Sequence, residues 1–184
     1  MSTARSVLLV VALVSMPLSP IVLFGADTQH AEHDASSPSR FVEAVRQATE
    51  PFRDARNVPA GYGPVLGCVS GPDQGAMGVH FINPSLLTDG VLDATQPEAL
   101  IYEFTNGQAR LVGAEFIVLA SVWHENHAPN DPPVLEDQLL HFVDSPNRFG
   151  LPPFYELHVW AWRDNPSGVF VDWNTRVSCE GRSQ

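Results

Sequence analysis

Six segments with a two-residue hydrophobic period follow residue 76, and they constrain the fold of this chain more than any other feature. They span residues 77–82, 99–104, 109–123, 138–143, 155–162 and 168–173. β-Branched and aromatic residues are frequent in these segments, and turns rich in Gly, Pro, Asn and Asp separate them, which is typical of β-strands. The sequence TNGQ between the second and third segments predicts a tight β-hairpin.

One helix is predicted before these strands, in the segment SPSRFVEAVRQATEPFRDAR. Its apolar residues recur at helical spacing: Phe41, Val42, Val45 and Ala48. Ser39 precedes them as a cap, and Pro51 ends or kinks the helix. The following Gly- and Pro-rich residues predict a long irregular loop around Cys68. The elements together predict a mainly β member of the α+β class, with an antiparallel sheet curled into a small barrel or sandwich and one N-terminal helix packed on it.

The first 26 residues have the layout of a secretory signal peptide, with Arg5, an apolar stretch at 7–24 and small residues at the end. An uncleaved membrane anchor is the alternative, and Pro17 and Pro20 disfavour the long regular helix that it requires. Residues 27–38 are polar and predict a disordered leader, which leaves 39–184 as a single globular domain. We therefore expect a secreted or periplasmic protein with no stable membrane span after cleavage.

Charge and cysteine content restrict the partners and the compartment. The net charge is −11 for the whole chain. Loss of residues 1–26 would leave nine basic and 21 acidic residues, a net charge of −12. Such a chain repels phosphate backbones, so we expect no nucleic-acid partner. Cys68 and Cys179 are the two cysteines, and in an exported chain a lone pair predicts a disulfide bond. A pair of thiolate metal ligands is the weaker alternative, because no CxxC spacing is present.

Three titratable residues interrupt segments that are otherwise apolar. Glu115 lies in LVGAEFIVLA, His80 in MGVHFI and His158 in YELHVW. A buried carboxylate must be paired, protonated or bound to a metal ion. Two histidines and one carboxylate that converge from separate strands fit a divalent transition metal, with Zn, Fe, Mn and Cu all acceptable. The sequence therefore predicts a metal site formed by His80, Glu115 and His158.

Other residues extend this candidate site. Tyr102 and His141 are candidates for a fourth ligand or for hydrogen-bond partners that orient the imidazoles. If the site is catalytic, Glu103 is the candidate for moving a proton. Trp160 and Trp162 would share one face of a strand and line a pocket for a possible small-molecule ligand.

Two alternatives to a metal site remain open from the sequence. A Glu–His pair satisfies both groups without metal, inside a barrel that holds a small apolar ligand against its tryptophans. A structural envelope protein is the other alternative. The chain contains no GxSxG, P-loop, dinucleotide-binding or CxxCH motif, so the sequence specifies no enzyme class, and it does not predict an oligomeric state.

Four segments together resemble a widespread family of exported bacterial proteins of uncharacterised function: GAMGVHFINP, PEALIYEF, LVGAEFIV and PNRFGLPPFYELHVWAWRDNPSGVFVDWNTRVSCE. The family pattern reads MGxHxxNP, PExLxYE, LVxVExxV and YELHVWxWxxNPxGxFxxWNPxVSC. Thr175 stands where the pattern has proline, and Ala114 where it often has valine. The resemblance covers about residues 68–179, implies export, and implies no particular activity. It marks these residues as motif positions: Cys68, His80, Tyr102, Glu103, Glu115, His158 and Cys179.

Overall fold

The computed structural model of the protein describes residues 39–181. The predicted signal peptide and leader lie outside the described residues. The helices are α1 Arg40–Thr49, α2 Pro84–Leu87 and α3 Ala120–Trp123, with 3-10 turns at Glu50–Phe52 and Ala55–Asn57. The strands are β1 Gly63–Gly71, β2 Gly75–Ile82, β3 Ala99–Thr105, β4 Gln108–Leu119, β5 Val134–Leu135, β6 Gln138–Leu139, β7 His141–Val143 and β8 Phe154–Val159.

Six of the strands form one antiparallel sheet in the order β1-β2-β3-β4-β8-β7. The sheet curls into a half-barrel whose edge strands are β1 and β7. Strands β5 and β6 pair separately as a two-stranded ribbon. This architecture confirms the prediction of a mainly β, α+β fold with a curled antiparallel sheet.

Helix α1 begins and ends where the sequence predicts. The Ser39 hydroxyl accepts a hydrogen bond from the backbone N–H of Val42, 3.3 Å away, and caps the helix. Pro51 lies in the 3-10 turn that follows the last helical residue. The apolar side of α1 is buried against the sheet, where the rings of Phe41 and Phe116 lie 5.5 Å apart. The predicted packing of the N-terminal helix on the sheet is therefore confirmed.

The β3–β4 connection is the tight hairpin that TNGQ predicts. Thr105 pairs with Gln108, and the two residues between them have positive φ, 51° at Asn106 and 76° at Gly107. A two-residue turn with both φ angles positive matches the right-handed twist of the flanking strands.

The structure differs from the predicted elements at both ends of the domain and after strand β4. The region around Cys68 is the edge strand β1 rather than a loop, because an edge strand tolerates the glycines and the proline that a central strand excludes. Residues 168–173 form turns rather than a strand, and side-chain donors bind the backbone oxygens of Val171 and Trp173. Residues 120–123 are helix α3 rather than the end of a strand.

A disulfide bond joins Cys68 of β1 to Cys179 in the C-terminal segment, as predicted, with Cα atoms 5.6 Å apart. A disulfide is compatible with export to an oxidising compartment. Within residues 39–181, no helix combines the length and the apolar character needed to cross a membrane.

Strands β4 and β8 have two different faces. The helix face carries apolar side chains that pack under α1: Ala114, Phe116, Val118, Leu157 and Val159. The opposite face, here called the His–Glu face, carries His80 of β2, Glu115 of β4, and Glu156 and His158 of β8. Apolar clusters lie at both ends of the His–Glu face, one around Ile117 and Phe154 and the other around Ile101 and Trp160.

Candidate metal centre

Strand register brings the three predicted ligands to one face. Glu115 of β4 lies directly opposite His158 of β8. His80 of β2 lies opposite Ile101 of β3, which in turn lies opposite Gly113 of β4, two residues before Glu115. Because residues paired across antiparallel strands project to the same side, His80, Glu115 and His158 share the His–Glu face.

Irregularities in the ladder surround His80. The β1–β2 register shifts between Val65 and Val69, and the β3–β4 register shifts between Ile101 and Tyr102. Gly78, two residues before His80, has a φ of 103°, and a Cβ at this position would lie 2.8 Å from the backbone oxygen of Tyr102. Only glycine therefore fits there. Bulges of this kind often re-aim side chains beside functional sites.

The three side chains are buried and close together. His80 Nε2 lies 3.3 Å from Glu115 Oε2, and His158 Nδ1 lies 3.8 Å from Glu115 Oε1. The residues are 4 %, 3 % and 1 % exposed for His80, Glu115 and His158. One ligand atom from each lies within 4.8 Å of those from the other two. Two ligands of a tetrahedral metal ion with bonds of about 2.1 Å are about 3.4 Å apart. The distances between these three side chains therefore suit the binding of one metal ion by all of them.

The imidazoles of this group lack the hydrogen bonds that buried polar atoms normally make. Among the described residues, neither ring nitrogen of His158 has a hydrogen-bond partner, nor does Nδ1 of His80. A buried unsatisfied polar group costs about 1–3 kcal/mol. Three such nitrogens in one group therefore indicate that something outside the polypeptide binds here.

The electrostatics of the site suit a cation. Burial lowers the pKa of His80 to about 4, and burial with the neighbouring His80 and His141 places the pKa of His158 well below its usual value. Both imidazoles are therefore neutral near pH 7, which is the form that binds metal ions. Burial and the neighbouring Glu156 raise the pKa of Glu115 well above its ordinary value, which shows how poorly the site accommodates an uncompensated negative charge.

Two further carboxylates join this cluster that were not predicted. Glu156 is buried on β8, where its carboxyl group neighbours that of Glu115 and helps to raise the pKa of Glu115, and Asp172 Oδ1 lies 3.7 Å from His158 Nδ1. Glu156 stands two residues before His158, so strand alternation places both on one face, and this pattern is sufficient to predict it. No such pattern marks Asp172, because it lies in a turn after β8 and not at an alternating position of a strand.

A small cavity adjoins the cluster. It has a volume of about 20 Å³ and is lined by His80, Glu115 and Glu156 together with apolar side chains that include Met77 and Phe154. This volume holds one water molecule or one ion. Any ligand that reaches the group from this side is therefore limited to very few atoms.

The other predicted site residues lie elsewhere. The Tyr102 hydroxyl donates to the backbone oxygen of Phe52, 2.6 Å away, on the side of β3 opposite Ile101. The Glu103 carboxylate binds the Arg163 guanidinium and accepts a hydrogen bond from Ser178 N. The structure thus brings neither Tyr102 nor Glu103 to the three central ligands.

His141, predicted as a fourth ligand or a supporting residue, lies at the solvent side of the cluster. Its Nδ1 atom is 3.9 Å from Asp172 Oδ1, and its side chain is 61 % exposed. It contacts the cluster through Asp172, and it remains a predicted supporting residue.

The prediction that Trp160 and Trp162 line one pocket is wrong. Strand β8 ends at Val159, and a hydrogen bond from Ala161 N to Val159 O breaks the alternation of side chains. Trp160 consequently packs on the His–Glu face, with its ring 6.1 Å from that of His158. Trp162 packs on the other side of the sheet and donates to the Thr49 hydroxyl.

The fold and the cluster together define a class of protein: a curled antiparallel sheet with a buried His/Glu group that can hold a metal ion. Comparison of the chain with protein-family models, with curated proteins and with solved structures finds no match in any of the three. The chemistry of the buried group itself is therefore the basis for a function.

Proposed function

We propose that this chain is a metalloprotein in which His80, Glu115 and His158 bind one divalent transition metal ion, here called the inner site. The observation that carries the proposal is His158, which is 1 % exposed and has two ring nitrogens without partners beside a buried carboxylate. A metal ion would satisfy one of those nitrogens and compensate the charge of Glu115 in a single step.

A metal-free pair of Glu115 with a histidine accounts for the observations less well. The contact between His80 Nε2 and Glu115 would satisfy one imidazole nitrogen and leave three in the group unsatisfied. An apolar ligand in the cavity would offer those nitrogens no donor or acceptor. A ligand set of two nitrogens and one oxygen also favours Zn, Fe, Mn or Cu over Mg or Ca, which prefer oxygen ligands.

The expected chemistry follows from the open coordination positions. Three protein ligands leave at least one position free for water, and the adjoining cavity of about 20 Å³ accepts a molecule of that size. The bound ion would polarise water or another ligand of few atoms, as in metal-dependent enzymes that act on small molecules. The proton transfer predicted for Glu103 finds no support, because Arg163 and Ser178 hold its carboxylate.

Metal analysis of the exported chain, purified without a histidine tag, tests the inner site. We expect about one equivalent or more of a transition metal in the purified protein, or on reconstitution after chelation, and a loss of at least about tenfold in affinity for His158→Ala. His127→Ala is the matched control, because that ring stacks on Trp123 away from the cluster. Circular dichroism reports whether each variant folds.

Two outcomes would contradict the proposal: wild-type protein that takes up no Zn²⁺, Fe²⁺, Mn²⁺ or Cu²⁺, or a folded His158→Ala variant with wild-type affinity. If His158→Ala fails to fold, Glu115→Gln replaces it. That change keeps the shape of the side chain and removes the anionic ligand, so it is expected to weaken binding in the same way.

A further inference from the structure

We propose that the inner site takes a small uncharged ligand of the dioxygen class, which reaches the metal ion through an apolar entrance formed by Leu66, Phe149 and Leu151. This inference rests on the proposed function, because the ligand would occupy a coordination position that the protein leaves open on that ion. Its separate support is the cavity beside the inner site and the chemistry of the cavity walls.

The cavity lies against one side of the inner site. His80, Glu115 and Glu156 are its titratable lining residues, and the lining within residues 39–181 includes neither His158 nor Asp172. The Asp172 side chain is 28 % exposed and lies beside His158, with Oδ1 3.7 Å from Nδ1. The inner site is therefore approached from two sides of different chemistry, a polar side at Asp172 and the cavity at His80 and Glu115.

The rest of the cavity lining is apolar. Seven of the ten described lining residues have hydrocarbon or thioether side chains: Leu66, Met77, Ile82, Ile117, Phe149, Leu151 and Phe154. No arginine in the described part of the chain lines the cavity. An anion that entered would lie beside the carboxyl groups of Glu115 and Glu156 in a buried site, which is costly. An uncharged apolar molecule meets no such cost, and its transfer from water to apolar walls is favourable.

Three of these apolar residues lie at the surface end of the cavity. Leu66 is 39 % exposed, Phe149 and Leu151 are half-buried, and the other seven lining residues are buried. A molecule that enters the cavity from solvent therefore passes apolar side chains first and meets the titratable groups only at the inner end.

The backbone at Leu66 has an unusual conformation. Val65 pairs with His80, the β1–β2 register shifts immediately after this pair, and Leu66 has a φ of 67°. Residues other than glycine, asparagine and aspartate rarely adopt positive φ, and strained residues of this kind cluster at binding and active sites. The bulge thus places a leucine in the cavity wall, next to a proposed ligand, at a position that favours glycine or asparagine.

The cavity volume and the ligand set together favour dioxygen within this class. The volume of about 20 Å³ exceeds the roughly 10–15 Å³ that one water molecule needs and is far below the roughly 300 Å³ of pockets for larger organic ligands. Two histidines and one carboxylate with open positions are the ligand set of non-haem iron(II) oxygenases, which use dioxygen. Iron(II) is therefore the ion with which the inference is tested.

Nitric oxide is the test ligand, because it is an uncharged diatomic molecule like dioxygen and its iron(II) complex gives an electron paramagnetic resonance signal. The full chain is treated with a chelator, reconstituted with Fe²⁺ in the absence of oxygen and titrated with nitric oxide. We expect about one nitrosyl per bound iron ion. Azide, a small anion, should not displace nitric oxide at an excess of about a hundredfold.

Leu66→Asn tests the entrance. Asparagine is close to leucine in size and adopts positive φ more readily, so this change makes the entrance polar and keeps the backbone conformation. The amide binds water that an apolar molecule must displace, and the association rate of nitric oxide should fall by about fivefold or more with iron binding unchanged. Leu139→Asn is the matched control, because Leu139 is 56 % exposed on β6 and does not line the cavity. Leu151→Asn is an independent second variant and should also slow association.

The outcomes separate this inference from the proposed function. Bound iron without a nitrosyl signal, or azide that displaces nitric oxide, would overturn the ligand class and leave the inner site intact. Wild-type association rates in folded Leu66→Asn and Leu151→Asn would overturn the entrance. Uptake of other transition metals but not of iron would also overturn this inference alone, whereas uptake of no transition metal would overturn the proposed function as well.

Discussion

The two faces of strands β4 and β8 are built from alternating residues of the same segments, yet they differ in almost every physical respect. On the helix face, Phe116, Leu157 and Val159 are buried under α1 among other apolar side chains. On the His–Glu face, Glu115 and His158 occupy paired positions of the same two strands, and neither ring nitrogen of His158 has a hydrogen-bond partner among the described residues. The helix face therefore stabilises the fold, and the His–Glu face holds groups whose burial opposes folding unless their charge and hydrogen-bonding capacity are compensated.

The His–Glu face is nevertheless not polar throughout. An apolar cluster around Ile117 and Phe154 closes one end of it, and another around Ile101 and Trp160 closes the other. The titratable residues occupy only the middle of the face, where apolar walls exclude water and strengthen electrostatic interactions. This arrangement is what a buried ion requires and what a structural core does not need.

The first prediction compares two neighbouring residues on opposite faces of β4. Phe116→Ala removes a fully buried ring that packs against Phe41, and it should lower the free energy of unfolding by about 3–5 kcal/mol. Glu115→Gln should change it by less than about 1 kcal/mol in metal-free protein, because the amide keeps the shape and carries no charge to bury. Urea denaturation of both variants in the presence of a chelator measures this difference. Equal losses for the two variants would show that the faces do not differ in this way.

The second prediction concerns Glu98, a carboxyl group outside the proposed inner site. It is 1 % exposed, its Oε2 accepts a hydrogen bond from Ile117 N at 2.9 Å, and burial raises its pKa from 4.5 to about 8. The folded state therefore keeps a proton that the unfolded state loses, so the stability that Glu98 contributes is present below pH 4.5 and is lost as the pH rises towards 8. We expect a decrease on the order of a few kcal/mol over this window.

Glu98→Gln mimics the protonated group and should flatten this part of the pH dependence. Urea denaturation at several pH values measures it, with exposed Glu125→Gln as the control that keeps the wild-type profile. Because Glu98 is not a proposed ligand, the effect should persist when metal is added. A profile for Glu98→Gln as steep as that of the wild type would assign the dependence to other groups.

The same contrast explains how much of the structure the sequence could predict. Strands β2, β3, β4 and β8 follow from local alternation, which also shows that a titratable residue in the middle of an apolar strand projects from one face or the other. Only the register of the folded sheet places His80, Glu115 and His158 on the same face. Strand β1 was missed because its glycines and proline are tolerated only at an edge, and edge position is a property of the whole sheet. Asp172 was missed because bonds from distant Asn165 and Trp160 set its position, and no local pattern encodes them.

The third prediction has the smallest expected effects and compares Trp160 with Trp162, which pack on opposite sides of the sheet. Trp162→Phe loses the hydrogen bond to Thr49 Oγ1, 2.9 Å away, and should cost about 1–2 kcal/mol of stability without changing metal affinity. Trp160→Phe loses the bond to Val171 O and should cost a similar amount. Only Trp160→Phe frees one anchor of the turn that carries Asp172, so metal affinity should fall by a few fold, and by at most about tenfold, in this variant alone. Isothermal titration with Mn²⁺ measures both affinities, and a loss in Trp162→Phe as large as in Trp160→Phe would mean that the two faces are energetically coupled.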